Sequence, residues 1–264
     1  MERDTNNKTY CIVVPAYKEH LDTMSTIALQ SLADRTNLYE HTYLVVPEGL
    51  NVDEYQKIFK NIKILEFNKA YFINIYTYTQ LCLSYDFYAT FAKYDYMLLY
   101  QLDCYLFRDE IQQFVNMGYD YIGAPIFSIK AGWKTCKKNQ PAIGNGGLSL
   151  RKINKFMELT NPDGKFRRTY MLSQKIISSV IVEDIYFCDT LPRLYNVKLY
   201  RPSIDIVLQF SWDQSVEYID ALLHNANLFK IPMGAHAINK SVDYWKQYIP
   251  EITDDVCDKI KNKQ

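Results

Sequence analysis

The sequence predicts an α/β fold in which a mostly parallel central sheet is flanked by helices. The first observation behind this prediction is that residues 10–15 and 43–47 are short apolar runs that each end at a proline. Such runs are typical of strands buried on both faces of a parallel sheet. The second is that apolar residues over 22–36, between these runs, follow the 3–4 spacing of a helix. A strand–helix–strand order of this kind indicates parallel strands.

The rest of the chain continues this alternation. Residues 62–67 alternate as a third strand, and residues 96–100 form a very apolar strand that we expect at the centre of the sheet. Ligands of parallel sheets bind beyond the carboxyl ends of the strands, which is where residues 15–19 lie. The further elements that we expect are helices at 74–93, 109–117 and 152–159, and strands at 119–124 and 228–233.

Composition limits the functions that the chain can have. Its 264 residues contain 30 Lys and Arg and 30 Asp and Glu, so there is no overall basic field of the kind that drives nucleic-acid binding. The six scattered cysteines include no Cys-x-x-Cys pair, which argues against a zinc ribbon and favours buried, reduced thiols in a cytoplasmic protein. We see no internal repeat or linker, and we expect one domain over residues 1–264.

The two ends of the sequence bear on membrane association. Residues 1–8 are polar and lack the apolar stretch of a signal peptide, and no run of about 18 apolar residues occurs. Lys259, Lys261 and Lys263 could touch an anionic membrane surface, which would place the protein at the inner face of the membrane. A solvated helix end is the alternative that we favour.

Asp103 is the first candidate for a functional side chain. It follows the apolar strand at 96–100, so it lies at the mouth of the sheet. A carboxylate there can hold a divalent metal ion, which in turn neutralises a diphosphate. The alternative is that Asp103 accepts hydrogen bonds from nearby backbone amides, and the sequence leaves both interpretations open.

A glycine loop is the second candidate. Residues 144–147 read Gly-Asn-Gly-Gly and contain three of the chain's nine glycines. Glycine allows backbone to approach a ligand closely, although a tight bend between strands would use the same residues.

Glu183, Asp184 and His236 complete the candidates. Two adjacent acids before an apolar segment are typical of a helix start, but one of them could also serve as a general base for a hydroxyl group. His236 follows Gly234 and Ala235 and could be a metal ligand, although a lone histidine is more often structural.

The order of these signals resembles the core signature of GT-A-fold glycosyltransferases. Four segments are similar, more narrowly, to a bacterial family of glycosyltransferase-like domains of unknown function: residues 100–110, 120–125, 144–151 and 183–184. The resemblance covers about residues 10–246. It implies a GT-A-like (Rossmann-like) fold with a nucleotide-binding half over about 10–125. The acceptor-side half, with a smaller mixed sheet, would span about 126–250.

The resemblance also implies roles for individual residues. Asp184 would be the catalytic base of an inverting enzyme, with Glu183 beside it. Asp103 and His236 would hold Mn²⁺ or Mg²⁺. The residues expected to bind the nucleotide sugar are Pro15, Ala16, Tyr17, Glu19, Gln101, Asp103, Asn145, Gly146 and Gly147.

The function implied is transfer of a sugar from a nucleotide-sugar donor to a glycan or lipid-linked glycan in bacterial surface polysaccharide synthesis. A uridine diphosphate sugar is the first guess for the donor. One departure concerns Gln101, which stands where the Asp-x-Asp motif has its first acid. An amide is a weaker ligand than a carboxylate for a hard cation, so metal binding would be weak, dependent on the donor phosphates, or absent.

Two other functions stay open. Gln101 favours a non-catalytic protein that binds a nucleotide sugar. A nucleotidyltransferase on a related sheet is the second alternative, but such enzymes usually carry a Gly-rich, Arg-containing loop after the first strand. Residues 15–19 contain neither glycine nor arginine.

Overall fold

The computed structural model describes residues 8–36, 39–127, 141–164 and 181–262. Its strands are β1 (Tyr10–Pro15), β2 (Thr42–Pro47), β3 (Lys63–Phe67), β4 (Tyr96–Tyr100), β5 (Tyr105–Leu106), β6 (Tyr121–Gly123), β7 (Pro125–Ile126), β8 (Ala142–Ile143), β9 (Leu148–Lys152), β10 (Ser211–Trp212) and β11 (Gly234–Ala235).

The α-helices lie between these strands and after the last of them. They are α1 (Thr23–Arg35), α2 (Asp53–Ile58), α3 (Ile75–Cys82), α4 (Tyr85–Ala89), α5 (Ile111–Asn116), α6 (Ile153–Thr160), α8 (Ile204–Phe210), α9 (Val216–Asn225), α10 (Val242–Trp245) and α11 (Asp254–Lys261). The segment that we label α7 is continuous and combines Glu183–Ile185, the π-helical turn Tyr186–Thr190 and Leu191–Tyr195.

Six strands form the central sheet in the order β3-β2-β1-β4-β9-β6. β1 pairs in parallel with β2 and β4, and β2 with β3, whereas β9 runs antiparallel between β4 and β6. The mostly parallel sheet predicted from the sequence is therefore confirmed, with β4 in its interior. A smaller sheet, in the order β10-β11-β5, is mixed, because β11 is parallel to β10 and antiparallel to β5.

Alternate residues of the central strands enter two different cores. In β1, Ile12 and Val14 belong to the core that α1 and the small sheet share, while Cys11 and Val13 belong to the core under α6 and α7. All four side chains are fully buried, as expected for a strand covered on both faces.

The long helix predicted at 74–93 is wrong, because the structure has two helices there. α3 ends at Cys82 and α4 begins at Tyr85. Ser84 separates them: its hydroxyl accepts a hydrogen bond from the Phe87 amide, which caps the first turn of α4.

The strand predicted at 228–233 is also wrong. Leu228 is 69% exposed, and Asn227 before it has a left-handed backbone with φ of 53°. Strand pairing begins only at Gly234, opposite Ser211 of β10 and Leu106 of β5. The apolar pattern was present, but no neighbouring strand pairs with these residues in the described structure.

Two further predictions concern the thiols and the membrane. Cys11, Cys82, Cys104, Cys188 and Cys257 are free and buried, and Cys136 lies outside the described residues. Within the described ranges, we find no helix with the length and apolar character needed to cross a bilayer. Lys261 is ion-paired with Asp243, and Lys263 falls outside the described part of the chain.

Candidate active site

The candidate site forms where β4 ends and β9 begins. These strands are antiparallel, with Tyr100 opposite Leu148, so the residues after β4 face the glycine loop before β9. The backbone amide of Gln101 donates a hydrogen bond to the Gly147 carbonyl over 3.0 Å. This pairing brings Asp103 and the glycine loop to one edge of the sheet, which is also the edge at which β1 ends.

His236 reaches this edge from the small sheet. It directly follows β11, and its amide donates to the Trp212 carbonyl over 2.9 Å. The imidazole Nε2 lies 3.1 Å from Gln101 Oε1 and 3.2 Å from Asp103 Oδ1. The structure therefore brings together the two residues that the sequence proposed as metal ligands.

The other ring nitrogen of His236 contacts Asp213, which the sequence analysis missed. Asp213 Oδ1 lies 3.1 Å from Nδ1 of His236, and Oδ2 accepts a hydrogen bond from Asn145 Nδ2 over 3.1 Å. The Asp213 side chain is fully buried. A signal was available, because Asp213 directly follows a buried strand and Asp103 lies three residues after the end of another.

Two carboxylates thus face one imidazole. Burial lowers the pKa of His236, but the charge of Asp103 and hydrogen bonds to Asp103 and Asp213 outweigh it and raise the pKa to about 10. Burial raises the pKa of Asp103, but the charge and hydrogen bond of His236, aided by Lys240, bring it below its ordinary value. The raised pKa favours a protonated imidazole, whose positive charge is shared between the two carboxylates that it contacts.

Gly147 is the point at which His236 approaches the backbone. A Cβ placed on Gly147 would lie 2.1 Å from Nε2 of His236, so the imidazole occupies the space of a side chain. The Gly147 amide donates to Asn145 Oδ1 over 3.0 Å. Only glycine permits this contact without displacing the ring.

Asp184 contacts the preceding glycine. Its Oδ2 accepts from the Gly146 amide over 3.0 Å, and its Oδ1 accepts from the Ile185 amide over 2.6 Å. Burial and the neighbouring charge of Glu183 raise the pKa of Asp184 to about 7, a range that suits a general base at neutral pH. Asp184 contacts Gly146 and His236 contacts Gly147. Because consecutive Cα atoms are about 3.8 Å apart, the two side chains meet neighbouring residues of the glycine loop.

Glu183 has a different environment from Asp184. Its Oε1 lies 3.1 Å from Nη2 of Arg151, and the Arg151 side chain is fully buried. Arg151 also donates to the hydroxyls of Ser149 and Tyr88, each over 3.0 Å. Of the two adjacent acids, Glu183 is engaged by a buried guanidinium, whereas Asp184 accepts hydrogen bonds from backbone amides at the glycine loop.

A cavity of about 510 Å³ opens beside Asp103. Its lining includes four of the residues expected to bind the nucleotide sugar: Pro15, Tyr17, Gln101 and Asp103. Ala16 is fully buried and donates its amide to the Val45 carbonyl over 2.9 Å. Glu19 is exposed and does not line this cavity.

One wall of the cavity was not anticipated. It consists of Phe72, Ile73, Asn74 and Ile75, where Asn74 caps α3. Ile73 is 73% exposed and Ile75 is 51% exposed. Apolar side chains that face both a cavity and solvent suit contact with a flat ligand ring. The asparagine before an apolar stretch was a readable helix-start signal, but it did not show that this start borders the site.

The donor set at Asp103 is too small to hold a metal ion without further ligands. In the described part of the chain, no group of three or more His, Cys, Asp or Glu side chains could hold a metal ion. Neighbouring ligands around Mg²⁺ lie roughly 3 Å apart, and the contacts of His236 Nε2 with Asp103 and Gln101, 3.2 and 3.1 Å, match that spacing. Nε2 would have to lose its proton to bind a metal ion, so these three residues alone form an incomplete site.

Comparison with known proteins places the chain in a family. The family model described as "Protein of unknown function (DUF5672)" matches residues 61–236, which is more than half of the chain. This range contains Gln101, Asp103, the glycine loop, Asp213 and His236. A search of the curated proteins found no match.

Solved structures show which fold the chain has. The structure is similar to mouse xyloside xylosyltransferase 1, with a TM-score of 0.55 and 10% identity over 86% of this chain and 97% of that one. It is also similar to the galactosyltransferase LgtC in complex with donor and acceptor sugar analogues, with a TM-score of 0.52 and 15% identity over 85% and 86% of the two chains. An active-site mutant of LgtC matches with a TM-score of 0.53 and 16% identity over the same shares. The chain belongs to the DUF5672 family and has the fold of the GT-A glycosyltransferases.

Proposed function

We propose that the chain is a glycosyltransferase that moves a sugar from a nucleotide-sugar donor to a hydroxyl acceptor. One observation carries this proposal: Gly146 contacts Asp184, a carboxylate with a pKa raised to about 7, and Gly147 contacts the cationic His236. A base and a cation on adjacent residues meet the two needs of glycosyl transfer, which are deprotonation of the acceptor and departure of a diphosphate.

The cavity supports the donor class. Its volume of about 510 Å³ is within the usual range of small-molecule sites, roughly 300–1,000 Å³. Tyr17 lines the cavity, is 61% exposed and offers a ring for a nucleobase. Asp103 also lines the cavity. We therefore assign the base and ribose to the Tyr17 end of the cavity and the diphosphate to the Asp103 end, where His236 contacts Asp103.

The reaction follows from this arrangement. Asp184 accepts a proton from the acceptor hydroxyl, whose oxygen forms a bond to the anomeric carbon of the donor sugar. The bond between that carbon and the diphosphate oxygen breaks, and the nucleoside diphosphate leaves. An attack opposite the leaving group inverts the anomeric centre. The Nε2–H group of His236, on the side of the ring that faces Asp103, stabilises the negative charge that develops on the leaving oxygen.

A metal ion is an optional part of this proposal. Asp103, His236 and the Gln101 amide oxygen would hold Mn²⁺ or Mg²⁺ once donor phosphates supply further ligands, and the ion would add to the neutralisation of the diphosphate. The replacement of an acid by Gln101 lowers the negative charge available to such an ion. Donor binding should therefore depend only weakly on metal.

Donor and acceptor identity rest on resemblance. We propose a uridine diphosphate sugar as donor and a glycan or lipid-linked glycan of a bacterial surface polysaccharide as acceptor, at the cytoplasmic face of the membrane. LgtC was solved with donor and acceptor sugar analogues, which supports a two-substrate site on this fold.

Transfer itself is the experiment that tests the proposal. The purified protein is incubated with a panel of nucleotide sugars and hydroxyl acceptors, with and without Mn²⁺, and release of nucleoside diphosphate is measured. We expect release from at least one donor, reduced more than 100-fold by Asp184→Asn and more than 10-fold by Asp103→Ala, since these remove a base and a charged group. Glu158→Gln, on the exposed face of α6, should match the unmodified protein. Tight donor binding without any release would instead support the non-catalytic binding protein.

A further inference from the structure

Asp213, Asn145, Gly147 and His236 form a closed ring of contacts. Asp213 meets His236 Nδ1 and Asn145 Nδ2, each at 3.1 Å. Asn145 Oδ1 accepts from the Gly147 amide over 3.0 Å, and Gly147 lies directly against the imidazole. The reaction proposed above uses His236 and the glycine loop but gives no task to Asp213.

The hydrogen bonds in this ring have a fixed direction. A carboxylate can only accept, so both neighbours of Asp213 must donate. Asn145 can do so because its oxygen is already taken by the Gly147 amide, which turns the amide nitrogen toward Asp213. His236 can do so only with a proton on Nδ1. The Asp213 carboxylate therefore sets the orientation of the Asn145 amide and accepts the Nδ1–H of His236.

The Asp213 carboxylate is shielded from solvent. Its side chain has no exposed surface, and it follows Trp212, which is also fully buried. Trp212 pairs with Ala235 in the small sheet, so Asp213 and His236 follow paired residues of two adjacent parallel strands. The backbone thus fixes the separation of the two side chains.

We propose that Asp213 is a positioning residue that fixes the orientation of His236 against the glycine loop. The closed ring of contacts holds Nε2 of His236 at a constant place beside Gly147, facing Asp103. The consequence for donor binding rests on the proposed function, but the positioning itself does not. Histidines that bind metal ions usually donate their other ring N–H to a carboxylate, and the contact between Asp213 and Nδ1 has that form.

Asp213→Asn tests the positioning. An amide of the same size offers one acceptor and one donor, so it can serve both Asn145 and His236 only if Nδ1 becomes an acceptor. The ¹⁵N spectrum of the His236 side chain, assigned with His236→Gln, should show a protonated Nδ1 in the unmodified protein and an unprotonated Nδ1 in the variant. Asp120→Asn is the matched control, since Asp120 accepts a hydrogen bond from the Tyr200 amide over 2.9 Å at the start of β6. It should leave the His236 spectrum unchanged.

The spectrum decides the inference even if the variant does not fold. In the unmodified protein, an unprotonated Nδ1, or an Nδ1–H without the downfield proton shift of a hydrogen bond to a carboxylate, overturns it. An Nδ1–H with that shift supports it. A folded Asp213→Asn variant whose Nδ1 keeps its proton also overturns it.

Calorimetry with uridine diphosphate and Mn²⁺ provides the second measurement. We expect affinity to fall about 10- to 100-fold in Asp213→Asn and to stay unchanged in Asp120→Asn. Affinity that is equal in Asp213→Asn and the unmodified protein counts against the positioning role. If the unmodified protein binds no nucleotide but the spectra behave as expected, the proposed function fails and the positioning role of Asp213 stands.

Discussion

At the residue scale, the His236 imidazole lies where a side chain on Gly147 would have to be. The ring fills the position that a Cβ of residue 147 would occupy, 2.1 Å from Nε2. Protein interiors have little spare volume, so even one added methyl group is felt when its neighbours cannot move. The neighbour of Gly147 is the His236 imidazole, which contacts Asp103, Gln101 and Asp213. These contacts restrict movement of the imidazole, so an added methyl group on residue 147 should be poorly tolerated.

Gly147→Ala should therefore lower the free energy of unfolding by about 1–3 kcal/mol, because the methyl group overlaps the imidazole. Urea denaturation measures the effect. In a His236→Ala background the same substitution should cost less than half as much, since the ring is gone. Equal costs in the two backgrounds would show that the strain arises elsewhere.

Asp184 should give the protein a characteristic pH dependence. Its pKa is about 7 in the folded protein and about 3.9 in an unfolded chain. A raised pKa of this kind contributes stability that is complete below pH about 4 and is lost as the pH rises through 7. The unfolding free energy of the protein should thus fall relative to that of Asp184→Asn across pH 4–8, as followed by thermal or urea unfolding.

Activity should follow the opposite trend, since a general base works only when it is deprotonated. We expect kcat/KM to rise with pH and to level off above about 7. A stability profile of Asp184→Asn that parallels the unmodified protein, or activity that falls through pH 7, would contradict this role for Asp184.

The residue scale also shows where sequence reasoning ends. The sequence singled out Asp103, Asp184 and His236 as candidates, and the structure brings Asp184 and His236 to the glycine loop and Asp103 to His236. Asp213 was missed although it directly follows a strand, because β10 has only two residues and no long apolar run marks it. Which acids share a site depends on strand pairing between distant segments, and one sequence does not show this.

At the element scale, an ion pair joins α7 to β9. Arg151 of β9 is fully buried and meets Glu183 at 3.1 Å, at the start of α7. A buried charge that loses its partner is costly, whereas a surface pair contributes little. The pair therefore holds the start of α7, and with it Asp184, against the glycine loop.

Glu183→Gln should destabilise the protein by about 3 kcal/mol, because the Arg151 guanidinium is left without a counter-charge in the interior. Glu158→Gln is the control, since Glu158 pairs with Lys155 on the surface of α6 and is 57% exposed. It should cost less than about 1 kcal/mol in the same urea titration. The folded Glu183→Gln protein should keep transfer activity within about 10-fold of the unmodified protein, whereas loss as complete as in Asp184→Asn would make Glu183 the base.

The break between α3 and α4 depends on a helix cap. Ser84→Ala removes the hydroxyl that accepts from the Phe87 amide, and should cost about 1 kcal/mol. Ser203 provides a matched control, because it stands at the same position before α8 but makes no side-chain cap hydrogen bond. Ser203→Ala should change stability by only a few tenths of a kcal/mol. Equal effects in thermal unfolding would mean that the cap does not define the boundary.

Strands and helices were predicted correctly where the pattern of apolar residues fitted only one kind of element. The apolar runs of β1, β2 and β4 are buried on both faces, and only a sheet interior accommodates such runs. The pattern at 74–93 suits one helix or two, and Ser84 decided between them. Residues 228–233 have strand composition, but pairing with β10 and β5 starts later, at Gly234. Tertiary pairing, not local preference, set that boundary.

At the scale of the whole molecule, topology explains why the site lies where it does. β1 and β4 are parallel neighbours, so Pro15 at the end of β1 and Gln101 just after β4 lie at the same edge of the sheet. The antiparallel β9 begins at that edge and supplies the glycine loop, and the small sheet supplies Asp213 and His236. The fold class could be predicted from alternating strand and helix patterns, but the small sheet's two-residue strands could not be located that way.

The central claim is that the glycine loop is the floor on which donor sugar meets acceptor. A crystal structure with a bound, unreacted uridine diphosphate sugar tests it most directly. We expect the base near Tyr17, the diphosphate at Asp103 and His236, and the sugar over Gly146 and Gly147 with its anomeric carbon facing Asp184. A nucleotide bound outside this cavity, or a sugar that makes no contact with the glycine loop, would contradict the account.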